Sequence, residues 1–202
     1  MTPSFKSICF LVIAAWFFVS ASGGGKDSPR ESVRELLEAI KNIKTGDSVS
    51  GSQREKNRKY SDIALGFLDL QELSRKALGK YWSERSEKEK KEFSHLLSDL
   101  FVNVAFPNSG KFFSDLKVIY SEPKISKNQA VVPITVVHEK EGEVGIEFYL
   151  RLNSGTWKVV DVLLDGVSMR NNLRSQFYKV IAQKNYRELV RRMEKKLKES
   201  KV

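Results

Sequence analysis

Few groups in this 202-residue chain could carry out covalent chemistry, and their spacing argues against most of it. It has two histidines, His95 and His138, and its one cysteine, Cys9, lies in an apolar run near the start. A zinc cluster needs Cys and His ligands at short, repeated spacings, so none is expected. Gly166-Val-Ser168-Met-Arg170 has the outline of a nucleophile elbow, but the sharp turn of an elbow needs a small residue where Arg170 stands. Asp161 and Asp165 flank one strand end without forming an acid–base pair; Asp165 suits a turn, or the unpaired N–H groups of a helix start. Glu147 and Tyr149 alternate with Phe148, which puts them on the opposite, wet face of their strand. No catalytic group is expected. Arg170 and Arg174 differ from the scattered basic residues, because they are neighbours at helical spacing where a helix leaves a strand. At a pocket mouth they could meet a phosphate.

The elements that would hold these residues are legible from periodicity. Ser28-Pro29 with Glu31 opens a helix whose apolar stripe is Val33, Leu36, Leu37, Ile40 and Ile43. Thr45 to Gly51 breaks it, and a charged stretch from Arg54 to Lys59 leads into Tyr60, Ile63 and Phe67. Asp69 to Glu72 and Ser86 to Glu89 read as two more capping boxes. The first opens a short helix that ends near Gly79. The second opens a helix carrying Phe93, Leu96, Leu97, Leu100, Phe101 and Val104, which Pro107 and Gly110 should terminate. From Leu116 the period becomes two. Four strands are expected: Leu116–Tyr120, Gln129–His138, Val144–Leu152 and one from Trp157. Pro133 predicts an edge or a bulge in the second, and short turns favour an antiparallel meander. From Ser168 the period is helical again, through Leu173, Phe177, Val180 and Ile181. Helices, then a sheet, then helices make an α+β chain.

Composition bounds the setting. Lys6, an uncharged apolar run from Ile8 to Val19 and small residues to Ser22 have the layout of a cleaved signal peptide over residues 1–22. Its removal would leave a cysteine-free chain, residues 23–202, of a size that suits one domain. The formal charge of +10 suits nucleic acid, anionic lipid or an acidic protein, and export argues against nucleic acid.

One stretch resembles a known family. Trp157-Lys-Val-Val-Asp161-Val-Leu-Leu-Asp165-Gly166-Val167-Ser168-Met169, followed by Asn172-Leu-Arg174-Ser-Gln-Phe177, is similar to the signature of MlaC. This is a family of soluble periplasmic phospholipid carriers, also called the toluene-tolerance or ABC-transporter auxiliary family. Leu78-Gly79-Lys80-Tyr81-Trp82 resembles its Leu-Gly-x-x-Trp element, and Val132-Pro133-Ile134 the start of its second strand. Asp165 stands for the usual Glu and keeps the charge, whereas Leu173 stands for the usual Tyr and loses a hydroxyl.

The resemblance implies an NTF2-like, four-stranded antiparallel sheet wrapped by N- and C-terminal helices around a deep apolar cavity. Phospholipid would be carried there as cargo, with no cofactor, no metal and no catalysis. Phe148, Leu150, Val162 and Leu164 share apolar strand faces and are expected to line the cavity, with Leu97, Leu100 and Phe101 opposite and Arg170 and Arg174 at the head group. The implied carrier is a monomer. Its implied partners are an inner-membrane ABC transporter with its lipid-binding accessory subunit and an outer-membrane lipoprotein complex. An exported NTF2-like enzyme, or an interaction module with its cavity filled, stays open as an alternative.

Overall fold

The computed structural model describes residues 28–46, 49–138 and 142–200. The expected leader, residues 1–22, lies outside the described residues, as do Glu141 and the side chain of His138. The elements are α1 (Pro29–Lys41), α2 (Gly51–Gly66), α3 (Leu70–Leu78), α4 (Glu87–Leu100), α5 (Phe106–Phe113), β1 (Lys117–Tyr120), β2 (Lys124–Ser126), β3 (Gln129–His138), β4 (Gly142–Asn153), β5 (Thr156–Leu164), β6 (Val167–Ser168), α6 (Met169–Gln183) and α7 (Tyr186–Glu199). Five helices precede an antiparallel sheet and two follow it, an α+β chain.

The sheet has six strands instead of the expected four, in the order β1-β3-β4-β5-β6, with β2 also on β3. The two extra strands are three and two residues long, too short to show a period. β1 and β2 share one edge of β3 and leave Val132 and Pro133 unpaired between them. Pro133 has no N–H to offer that edge. The Ser121 N–H donates to the Pro133 carbonyl at 3.0 Å, and the Ser121 carbonyl accepts from Arg30 of α1 at 3.1 Å. A helix side chain thus supplies the donor that the proline lacks.

The pairing of β4 with β5 shifts register between Tyr149 and Leu150, leaving Val160 as the extra residue of a bulge. Before the bulge, Trp157 and Val159 share the apolar face with Leu152 and Leu150; after it, Val162 and Leu164 share that face with Phe148 and Ile146. Asp161 is thereby carried to the other face, opposite Tyr149. The free edge of β5 is covered at the bulge by the segment before α3, where the Asp69 N–H donates to the Val159 carbonyl at 3.0 Å. Asp165 and Gly166 both have positive φ, 46° and 78°, the backbone of a two-residue hairpin turn joining β5 to β6.

Two helical expectations change. The helix from Glu87 does not stop before Pro107: a π-helical turn, Phe101–Ala105, carries it into α5. A proline needs room at the carbonyl four residues earlier, and the wider turn supplies it. Gly110 marks a close approach in α5, since a Cβ there would lie 2.7 Å from the Ile40 carbonyl of α1. The C-terminal helix is two helices, because Asn185 caps α7 by accepting from the Glu188 N–H at 2.9 Å. Of the three expected capping boxes only that of Ser86 and Glu89 is complete. Asp69 caps α3, while Glu72 turns to Arg75; the Ser28 hydroxyl makes no capping bond.

The apolar interior is divided. One cluster joins α1 and α5 to the sheet through Leu37, Phe106, Val132 and Phe148. The other joins α3, α4, α6 and α7 through Leu78, Phe93, Phe177 and Met193. Phe101, on the π turn, packs against both.

Candidate functional site

Two adjoining cavities lie along the seam between these clusters. The larger, about 390 Å³, is bordered by α1, the π turn, α5 and the sheet, with Leu37, Ile40, Phe106, Phe113, Ile146 and Phe148 among its walls. Its one polar lining side chain is Ser109. The smaller, about 300 Å³, runs between Leu73, Leu97 and Leu173, and has Asp161, Arg170, Asn172 and Gln176 along its polar side. Leu68, Phe101, Val159, Val162 and Met169 belong to both. The pair therefore forms a site that is apolar along most of its length and polar at one side, the usual composition of a pocket for an amphipathic molecule.

Large apolar side chains stand in water where this site meets the surface. Phe112 is 47% exposed, Leu164 37% and Met169 37%, and all three line the larger cavity. Val167, 56% exposed, lies between Leu164 and Met169 in the chain. The hairpin at Asp165 and Gly166 brings Leu164, Val167 and Met169 together, and Phe112 of α5 lines the same cavity, so the four form one rim.

The polar side is fixed by Asp161, which is buried. Its carboxylate accepts from the Ser168 hydroxyl at 2.7 Å, the Val162 N–H at 2.9 Å and the Arg170 N–H at 3.1 Å, and lies 3.2 Å from the Arg170 guanidinium. Ser168 in turn accepts from the Asn171 N–H at 3.0 Å and caps α6. The helix start is thus held by Asp161 and Ser168, while Asp165 serves the turn and accepts from the Gly145 N–H at 3.3 Å. Ser168 is a cap whose hydroxyl is held by the Asp161 carboxylate. On the same sheet face as Asp161, burial and the neighbouring Glu147 push the Tyr149 phenol above its usual range, so it stays protonated at neutral pH and donates to Glu147 at 3.3 Å. Among the described residues no group of His, Cys, Asp and Glu is placed to hold a metal ion.

The structure sorts the residues expected at the site. Leu97, Phe101, Phe148, Val162, Leu164 and Arg170 line one or both cavities. Leu150, 1% exposed, is buried in the core and lines neither cavity, although its partner Val159 lines both. Leu100 packs on the helical cluster, and half-buried Arg174, one turn beyond Arg170, lines neither cavity. The walls supplied by α1, by Leu68 and by Met169 carry no local signal of the site. The stripe of α1 reads as ordinary core, and Leu68 and Met169 sit at helix boundaries where periodicity is silent.

Comparison with known proteins gives this geometry relatives. One solved structure, the phospholipid-binding protein from Ralstonia solanacearum in complex with a phospholipid, superposes with a TM-score of 0.70 at 17% identity, over 89% of this chain and 100% of that one. No curated protein matches the chain. Residues 31–195 match the family described as MlaC protein, and the chain belongs to that family.

Proposed function

We propose that the chain is an exported, monomeric, single-domain phospholipid carrier. Residues 1–22 would be its signal peptide and residues 23–202 the working domain in the periplasm. The observation that carries this reading is the pair of apolar cavities sharing the wall of Leu68, Phe101, Val159, Val162 and Met169. Cavities of about 300 and 390 Å³ each have the size of a small-molecule site, one for each acyl chain. The glycerol and phosphate would sit on the Arg170 side, where the guanidinium keeps N–H groups beyond those given to Asp161 and to the Val160 carbonyl, 3.3 Å away. Arg174, one turn on, would add positive charge outside the cavity. Membership of the MlaC family and the phospholipid held by the Ralstonia relative support the same ligand class.

In this reading the protein catalyses nothing. Asp161 and Ser168 are consumed in building the end of the site, and Tyr149 is a protonated phenol bonded to Glu147 that lines neither cavity. The carrier would move lipid between an outer-membrane lipoprotein complex and an inner-membrane ABC transporter with its lipid-binding subunit. Organic extraction of freshly purified protein, read by mass spectrometry, tests the binding claim. About one diacyl phospholipid per chain is expected. A small polar ligand would favour the enzyme alternative, and an empty extract the module with a filled cavity.

A further inference from the structure

Away from the lipid cavities, the loop after α1 and the outer face of α2 enclose a third depression of about 400 Å³. Lys44, Arg54 and Arg58 line it, and among the described residues none of its lining is acidic. Eight arginines of the described chain have a carboxylate within 4.0 Å; Arg54 and Arg58 have none among the described residues, and neither has Lys44. Arg54 and Arg58 stand at i and i+4 on one helix, where like charges repel and weaken it. An anion between them reverses the sign of that interaction.

The loop that brings Lys44 to this place is held, not loose. Asn57 of α2 accepts from the Lys44 N–H at 3.0 Å and donates to the Lys44 carbonyl at 2.7 Å. Gln53 donates to the same Asn57 oxygen at 2.9 Å and fixes the amide. Buried Ser61 adds a hydroxyl to the floor, and Asn103 of the π turn an amide to the far wall. Three exposed cations with flanking polar side chains around a concave space form the environment that binds a phosphate oxyanion.

We propose that the depression bounded by Lys44, Arg54 and Arg58 is a second, surface binding site for a phosphate group, separate from the lipid cavities. The phosphate could be a free monoester or the head group of an anionic lipid in a bilayer. Both present the same oxyanion to the same three cations. The site lies on the reverse of the turn that carries Phe101, so a docked head group would hold the protein to a surface with the acyl cavities still free.

The test is calorimetric titration of the purified protein with glycerol 3-phosphate, together with co-sedimentation with vesicles of pure phosphatidylcholine or of phosphatidylcholine containing phosphatidylglycerol. The double variant Arg54→Gln/Arg58→Gln is compared with Lys179→Gln/Lys184→Gln, which removes the same charge from exposed positions on and just beyond α6. Saturable glycerol 3-phosphate binding, weakened tenfold or more by the first variant only, identifies a free phosphate ester as the ligand. No binding of the ester, with phosphatidylglycerol-dependent sedimentation lost in the first variant only, identifies the lipid head group. Equal losses in both variants, or no binding of either probe by the parent, would overturn the site and leave only diffuse positive charge. Extracted cavity lipid should be unchanged in the first variant, so this result and that of the lipid extraction fail independently.

Discussion

The Asp161 carboxylate meets Arg170 twice, accepting its backbone N–H at 3.1 Å and lying 3.2 Å from its guanidinium. One residue thus anchors both the first turn of α6 and the cation beside the smaller cavity. Removing the carboxylate leaves a half-buried guanidinium, a helix-start N–H and the Ser168 hydroxyl without their acceptor. Asp161→Ala should therefore lower stability by about 3 kcal/mol, at the low end for a broken buried pair because Arg170 is a quarter exposed. Arg170→Gln should lower it by less, since Asp161 keeps three other donors. Urea denaturation of the two variants compares them, and equal losses would show that the guanidinium contact outweighs the cap. Retained lipid, measured alongside, should fall in Arg170→Gln by more than its stability explains.

Gly79 is held by a contact of another kind. Its φ is +50°, and a Cβ there would collide with the Tyr178 hydroxyl, which accepts from the Lys80 N–H at 2.8 Å. The Leu-Gly-x-x-Trp element thus reads structurally as the seat of a tyrosine from α6. Gly79→Ala should destabilise by about 2 kcal/mol or more, combining backbone strain with the clash. Tyr178→Phe removes the colliding oxygen. A double-mutant cycle should show the pair costing less than the two single changes added together. Strict additivity would place the whole loss in the backbone.

The pH dependence is set partly by Asp69. Burial raises its pKa, but the Glu72 N–H at 3.0 Å and the Arg151 guanidinium at 2.8 Å outweigh that and hold it below the usual carboxylate range. A depressed folded-state pKa contributes stability above the unfolded-state value and loses it as pH falls through the folded one. The stability difference between the parent and Asp69→Asn should accordingly be full at pH 6 and shrink steadily below about pH 4. Denaturant midpoints at five pH values between 6 and 2 provide the check. A difference that grows on acidification would mean that burial dominates.

The sequence was most legible where one period ran undisturbed. The stripe of α1, the alternation from Val144 to Leu152 and the cap at Ser86 are local patterns, and each element stands where its pattern puts it. What escaped depends on contacts made far along the chain. The π turn lets a helix run past Pro107, and Val160 is an apolar residue like Val159 until register makes it the bulge. Residue type alone placed Leu150 with Phe148. In the structure one lies deep in the core and the other on a cavity wall, a difference of depth that alternation along one strand does not carry.

That division gives a paired prediction. Val162 lines both cavities and is half-buried, so Val162→Trp should fill the shared wall and cut bound phospholipid by more than half, with thermal stability little changed. Leu150 is 1% exposed and lines neither cavity. Leu150→Ala should lose about 2–5 kcal/mol while keeping lipid at the parent level when folded. Extraction followed by mass spectrometry, with melting curves on the same samples, separates the two. A Val162→Trp protein that is folded and fully loaded would turn the seam into ordinary core.

Release of the ligand follows from magnitude. Burying an acyl chain contributes about 0.8 kcal/mol per CH₂, so two chains of roughly 14 methylenes give on the order of 20 kcal/mol gross against water. That is close to the ceiling for noncovalent affinity, before the loss of chain freedom is subtracted. A carrier holding lipid in this way releases it too slowly into solution to be useful. It must open against a surface that offers an equally apolar path, and the exposed rim of Phe112, Leu164, Val167 and Met169 is the place where such a path could join. Bound lipid should survive dialysis and move to acceptor vesicles quickly only when the transporter's lipid-binding domain is present. Val167 lines neither cavity, so Val167→Asp should leave lipid content unchanged and slow the partner-dependent step severalfold. Fluorescent-lipid transfer measures both. Rapid transfer to bare vesicles, indifferent to the partner and to Val167→Asp, would replace the shuttle with a carrier that unloads by colliding with membranes through its basic surface.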